Sequence, residues 1–345
     1  MNMMEMLNTI RDNATQEYQN RVPEATRTNL DEIRYAMLDD NNIIIANEFT
    51  GTFYNKLIKS VVITKLFDNP LKSLKKGKKP LGDAIEEIYT NFIKATSYEQ
   101  TGADLLKRNL PDVKAVYHRM NRQDKYKITV SRETLSRAFA SYDALEKFVS
   151  NEIQALYNSA ELDEFINIKQ LIKHAYDNNA VVKMPVSDPA NEANGKEFIK
   201  SIKTVSGLMK FPNSDFNGYL TAQDVDDKPI ITFSRKNEQI LILDTATDTS
   251  CSVDVLASLF NMSVADFNDT RKIVIDHFPD KNIRAFLCDE QFFQVYDDLF
   301  AIKPFENTEG LYTNYVLHVW QTMAYSPLVN AVAFYVEVEN PDATE

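Results

Sequence analysis

The chain has 345 residues, 44% of them apolar and 26% charged, which suits two domains or one large domain with an elaborated lobe. Fifty Asp and Glu against 38 Lys and Arg leave a net charge of −12, and that excludes a chain-wide affinity for phosphate backbones. Two cysteines are too few for a disulfide framework, and no apolar run approaches the ~18 residues of a bilayer-spanning helix.

Residues 1 to about 50 are polar with scattered apolar anchors and predict an extended arm leading into a short helix. The opening MNMMEMLNTIRDNATQ lacks the basic start and long apolar core of a signal peptide. From Tyr54 to Lys79 there are eight lysines and one aspartate, a charge of +7, so the remainder carries −19. The stretch NPLKSLKKGKKPLG (Asn69 to Gly82), at the end of this segment, holds five lysines and no acid. Pro70, Gly77, Pro80 and Gly82 predict a loop there. Nucleic-acid sites usually interleave stacking aromatics or use Arg for bidentate phosphate contacts, and this stretch has neither. Lysine suits diffuse, reversible pairing with carboxylates, which the acidic remainder supplies.

Two β-like runs follow that could pair, AIEEIYTNFI and KYKITV, the second placing Tyr126, Ile128 and Val130 on one face. Residues 80 to 132 read as a long hairpin-like excursion. A two-stranded ribbon cannot stand alone in water, so it needs a body or a neighbour to lie on. Next, a single helix is predicted from Asp143 to Asn178, with Asp143 and Glu146 as a capping box and an unbroken apolar stripe. Ser252 and Ser263 are candidate N-caps for VDVLASLFN and VADF. QILILDT, RKIVIDHF, IRAFLCD and FFQVYDD predict strands, and Cys251 and Cys288 read as small buried hydrophobes. The last strands are LYTNYVLHVWQTMAY, apolar on both faces and so expected to be central and doubly covered, and NAVAFYVEVE.

No catalytic constellation emerges. His118, His174, His277 and His318 lack metal-ligand spacing, and there is no Cys-x-x-Cys, phosphate loop or nucleophile elbow. His318 beside Trp320 reads as a satisfied core histidine. Asp276 and His277, as strand neighbours, should face opposite ways. The acids at Asp224 to Asp227, Asp289–Glu290 and Asp297–Asp298 read as solvated turns. The expectation is a non-enzyme without cofactor or metal.

Five blocks, NPLKSLKKGKKPLGDAIEEIYT, NRQDKYKITV, YNSAELDEF, SVDVLASLFNM and GLYTNYVLHVWQT followed by NAVAF, run in order from about Tyr54 to Phe334. Together they resemble the major capsid protein of phi-29-type podoviruses. The resemblance implies an α+β fold of the Hong Kong 97 tailed-phage capsid type. It divides the chain into an N-terminal arm (1–53), a basic segment and extended loop (54–134), a peripheral domain with a spine helix (135–202), an axial domain (203–305) and C-terminal strands returning to the peripheral domain (306–345). It implies a shell of hexamers and pentamers around packaged double-stranded DNA that is contacted weakly, a portal protein at one vertex, and no membrane. Such a protein belongs to the virion and is assembled in the host cytoplasm.

The candidate subunit contacts are Lys72, Lys75, Lys76, Lys78 and Lys79 on the basic segment, with Glu86, Glu87, Arg119, Arg122, Lys125 and Lys127 on the excursion. Longer family members carry a C-terminal immunoglobulin-like module that this chain, ending at Glu345, is not expected to have. Only some fifty residues precede the lysine segment, without sustained heptads, so a separate scaffolding protein is expected. The rival readings are an encapsulin-like nanocompartment shell and a nucleic-acid-binding protein that uses the basic loop.

Overall fold

The structure is a computed structural model that describes residues 3–38, 67–98, 100, 102, 106–190, 192–219, 229–250, 271–307, 309–310 and 312–337. In chain order the elements are α1 (Met3–Asp12), α2 (Gln16–Arg21), α3 (Leu30–Leu38), β1 (Lys75–Lys78), β2 (Ile85–Thr90), β3 (Val113–His118), β4 (Arg122–Ser131), α4 (Arg132–Ala138) and α5 (Tyr142–Asp177). They continue with β5 (Val182–Pro185), α6 (Glu192–Leu208), β6 (Gln239–Asp244), α7 (Thr245–Ser250), β7 (Arg271–Ile275), β8 (Ile283–Asp289), β9 (Phe293–Asn307), β10 (Tyr312–Tyr325) and β11 (Ala331–Tyr335). Two compact units are formed. One takes the described parts of Met1–Asn69, Arg122–Glu164 and Asp297–Gln321, and the other takes those of Pro70–Asn121, Phe165–Tyr296 and Thr322–Glu345.

In the first unit the N-terminal residues are helical, which corrects the extended arm expected from their polarity. Met3, Met6, Leu7 and Ile10 recur at helical spacing and are buried with Ile33, Met37, Val130, Phe139, Leu145 and Tyr315. The Asn8 amide also exchanges two hydrogen bonds with the Ala25 backbone, at 3.0 and 2.6 Å, which fixes the connection after α2. Tertiary burial of the scattered anchors, more than local propensity, makes these short helices stable.

The long helix is a single element. α5 has 36 residues, so it runs about 54 Å at 1.5 Å per residue. Leu145, Leu156 and Ala160 are buried in the first unit, and Phe165, Ile168, Ile172 and Ala175 in the second. It ends where Asn179 turns left-handed at φ 54° and the Ala180 N–H donates to the Ala175 carbonyl at 2.9 Å. The side chains of the expected Asp143–Glu146 capping box lie outside the described residues, as do Cys251, the Ser252 and Ser263 caps and the acids at 224–227.

In the second unit a five-stranded sheet has the order β5-β11-β8-β6-β7. Ile240, Ile242, Phe286, Cys288, Ala331 and Ala333 share one core with Ile168 and Ile172 of α5. The alternate residues Leu241, Leu243, Ala285, Leu287, Val332 and Phe334 share another with Phe198, Ile199, Ile202 and Val205 of α6. A sheet covered on both faces explains why QILILD is buried at all six positions. Cys288 is among its fully buried residues. Burial pushes its thiol well above the ordinary range, so it behaves as a small hydrophobe.

A four-stranded sheet has the order β1-β9-β10-β4. Its antiparallel β4–β10 pairing runs from Tyr312↔Ser131 to Gln321↔Arg122. The run KYKITV therefore pairs with β10, and the expected partnership with AIEEIYT is wrong. β10 is central as expected, but its double cover is partial. Tyr315, Leu317 and Val319 are buried, whereas Val316, His318 and Trp320 on the other face are half-buried. His318 meets Trp320 edge-on at 6.5 Å and is not a core histidine. Two readings of acids also change. Asp297 and Asp298 sit within β9, and Asp289 is a buried strand end. Among the described residues no helix is long and apolar enough to cross a membrane.

Candidate subunit-contact surface

The described part of the basic segment forms a turn and a strand from Pro70 to Lys78, where a loop was expected. Pro70–Leu74 forms a short 3-10 turn whose Leu71 and Leu74 are buried in the second unit's core, and Lys75–Lys78 forms the edge strand β1. Lysine has little β propensity, so the strand exists because the neighbouring β9 offers a ladder and the two leucines anchor its entry. Gly77 adopts φ 132°, a conformation that side chains rarely take, which lets a glycine sit inside the strand. Charged edge strands protect against edge-to-edge pairing, and lysine is the residue most used for this. The concentration of lysines thus has a local structural reason.

Part of that charge is met within the chain. Lys76 keeps contact with solvent, yet desolvation by the surrounding protein lowers its pKa against the opposing pull of Glu87, Asp289 and Glu290. The Lys79 ammonium donates to the Asp83 carbonyl. Lys72 and Lys78 have exposed side chains, and those of Lys75 and Lys79 are half-buried.

The excursion contains a true hairpin, formed by β2 and β3 in antiparallel register from Ile85↔His118 to Thr90↔Val113. Both faces are mixed. Lys114 and His118 are buried and Ile85, Glu87, Tyr89 and Val116 half-buried on the covered face, while Ile88, Val113 and Tyr117 are exposed on the other beside Glu86 and Thr90. On the covered face Glu87 meets His118 Nε2 at 2.8 Å and accepts from the Gln294 amide, and Lys114 pairs with Asp112 at 3.2 Å. The Tyr89 hydroxyl donates to the Ile231 carbonyl. Asn91 donates to the Pro229 carbonyl at 2.8 Å and accepts from the Ile231 N–H at 3.1 Å. The polar groups of the covered face are thus satisfied, and Tyr89 and Val116 pack there against Tyr219, Ile230 and Leu328, while the large apolar side chains of the other face are left open.

Beyond the last ladder pair the apolar exposure increases. Phe92, Ile93, Tyr98, Leu106 and Leu110 are exposed, Leu106 at 93%. Of the eighteen large apolar side chains exposed among the described residues, nine lie between Leu81 and Tyr117, a concentration that scattered surface hydrophobics would not give. Sequence reasoning chose the charges of this region and missed its apolar face. The available signal was the cluster of large apolar residues beyond the ladder, Phe92, Ile93, Tyr98, Leu106 and Leu110, within an otherwise polar excursion.

The other candidates separate. Glu86 is exposed and accepts from the Tyr117 hydroxyl at 2.7 Å, and Arg119, Lys125 and Lys127 are exposed. Arg122 is not a surface contact. It is buried, and its guanidinium donates to Asp124 at 2.6 Å, Gln321 at 2.6 Å and the Tyr126 hydroxyl at 2.9 Å. Gln321 in turn donates to Glu164 and Asp297, and the Tyr126 hydroxyl to Asp163. Desolvation first, and then the bond to Asp163, push the Tyr126 hydroxyl far up. Asp276 and His277 share a contact at 2.9 Å just past β7, because the backbone there has left the strand and its alternation. Asp276 also binds the buried Lys169 ammonium at 2.7 Å. No group of three or more metal-ligating side chains occurs among the described residues.

A family profile described as phi29-like phage major capsid protein matches residues 7–335. The chain belongs to that family. It is 34% identical over 335 residues to the major capsid protein of Bacillus phage PZA, covering 96% of this chain and 72% of that one. With the major capsid protein of Bacillus phage GA-1 it shares 36% identity over 294 residues, 84% of this chain and 61% of the relative. In structure it resembles a chain of the Staphylococcus phage Andhra capsid, with a TM-score of 0.65 at 14% identity over 80% of this chain and 86% of that one. The fold is mixed α+β of the Hong Kong 97 capsid type. This phage major capsid protein is a structural component of the virion and not an enzyme, and it assembles with its own copies into the head shell. The nanocompartment and nucleic-acid-binding readings give way to that membership.

Proposed function

We propose that the capsid protein joins its neighbours through the apolar face of the hairpin from Leu81 to Met120, laid over an adjacent copy. The observation that carries this is the open face of the ribbon, where Ile88, Val113 and Tyr117 are exposed and are continued beyond the ladder by Phe92, Ile93, Leu106 and Leu110. Covering a large apolar side chain contributes about 1.5–3 kcal/mol, against about 0.2–1 kcal/mol for an exposed ion pair. The hairpin therefore supplies most of the adhesion. The exposed lysines of the basic segment, with Glu86, Arg119, Lys125 and Lys127, tune register and reversibility, and avidity over many copies makes the shell stable. α5 serves as the spine of a peripheral domain, and residues 203–305 serve as the axial domain near the capsomer centre. A scaffolding protein selects the curvature among contacts that are individually weak, a portal protein occupies one vertex, and packaged DNA meets a wall whose acidic balance discourages tight phosphate binding.

Ile93→Asp with Leu106→Asp tests this reading, because both positions are exposed and the monomer should stay folded. Loss of shells by electron microscopy with an unchanged monomer melt is the expected result. Normal shells would remove the hairpin from the contact.

A further inference from the structure

A cleft of about 240 Å³ lies at the foot of the hairpin in the second unit. Small-molecule sites occupy ~300–1,000 Å³, so this one is sized for a single side chain. Tyr89, Phe233 and Leu328 contribute apolar lining, and Glu238 and Asp289 contribute carboxylates. Phe233 is 43% exposed. The short pairing of Asn213 with Thr232 and the bond from the Ser234 N–H to the Met209 carbonyl hold its backbone. Asp289 is 7% exposed and is fixed by the Gln291 N–H at 2.9 Å. Burial, with Glu238 and Glu290 adding to it, raises the Asp289 carboxyl above the usual carboxylate range against the bonds from Ser234 and Gln291, a condition that an incoming cation would relieve. The Glu238 carboxylate accepts from the Arg235 N–H at 2.9 Å through one oxygen, which fixes it at the cleft, and the other oxygen lies 3.7 Å from the 71%-exposed Arg235 guanidinium, a weak pair that an incoming cation can replace. Lys76 senses the Asp289 charge without lining the cleft.

We propose that this cleft is a socket for a basic side chain, Arg108 or Lys94, from the hairpin of a second copy of the chain. Both residues are exposed in their own chain, so neither fills its own socket. Lys94 lies four residues beyond Thr90 and Arg108 five before Val113, which puts both up to about 13–17 Å past the ladder if extended. Each stands among exposed apolar neighbours, Ile93 for one, Leu106 and Leu110 for the other. An aliphatic stem between Phe233 and Leu328 with a cationic head at Glu238 and Asp289 matches the lining in both shape and charge. Anchors of this kind, Arg above all, dominate interface energies.

The inference rests on the hairpin reading and adds where the hairpin ends. Its test uses the full chain, with assembly followed by sedimentation and electron microscopy under conditions where the unmodified protein forms shells. Glu238→Lys should raise the threshold concentration for assembly at least about tenfold. So should Arg108→Glu combined with Lys94→Glu, and joining both sets of changes should recover most of the loss. Normal assembly of Glu238→Lys, or no recovery in the combined variant, overturns the socket. If Glu238→Lys melts below the unmodified chain, Glu238→Gln and Phe233→Ser must still weaken assembly, or the socket is wrong. Shells lost in Ile93→Asp with Leu106→Asp but kept in Glu238→Lys would reject the socket alone. Shells kept in both would reject the hairpin contact itself.

Discussion

The β2–β3 hairpin and the β4–β10 pair are built from similar alternating sequences and end in opposite situations. In β4, Tyr126, Ile128 and Val130 line the face that packs with Leu317, Val319 and Tyr315 of β10 and with Leu145, Leu156 and Ala160 of the long helix. In β2 and β3, Ile88, Val113 and Tyr117 meet solvent, and the alternates held against the chain are a mixed set of Ile85, Glu87, Tyr89, Lys114, Val116 and His118. Alternation prescribes two faces but does not say which one the fold will cover. A covered apolar face stabilises the monomer, whereas an open one is kept for another molecule.

The largest effect expected from this contrast is at the buried centre of the β4–β10 region. Arg122→Ala would leave Asp124, Gln321 and the Tyr126 hydroxyl without their shared donor, and should lower monomer stability by about 3–5 kcal/mol in denaturant titration. A loss under 1 kcal/mol would mean that the network is replaceable. Leu317→Ala, at a fully buried position, should destabilise the monomer by about 2–5 kcal/mol. The matching change in the hairpin, Ile88→Ala at 62% exposure, should leave the monomer within about 0.5 kcal/mol while weakening assembly. Equal effects of these two changes on the monomer would erase the contrast.

Much of the secondary structure was legible. The long helix is bounded within one residue of its predicted ends, because a run of 36 residues without Pro or Gly and with a sustained stripe has no competing period. The strands QILILD, IRAFLCD and AVAFY were equally clear, since continuous apolar runs of that length admit little else. Partnership was not legible. VKAVYH lies between the two β-like runs of the excursion without a strand assignment of its own, yet it is the strand that pairs with IEEIYT. Pro70, Gly77, Pro80 and Gly82 predict a loop for the lysine run, and only the edge of β9 makes Lys75–Lys78 a strand. Of the candidate contacts, Arg122 looked like any other charge on an alternating strand until the fold buried it.

By itself the sequence determined the long helix and the apolar strands, the absence of a recognisable catalytic motif, and the family, whose blocks stand in order along most of the chain. These are local properties, carried by period, composition and spacing. Only the tertiary structure decided which strands meet, that the first helices pack where an arm was expected, and that the hairpin turns its apolar side outward. Each of these depends on whether another surface reaches a residue, and that is a matter of non-local packing on which neighbouring residues in the sequence carry no information.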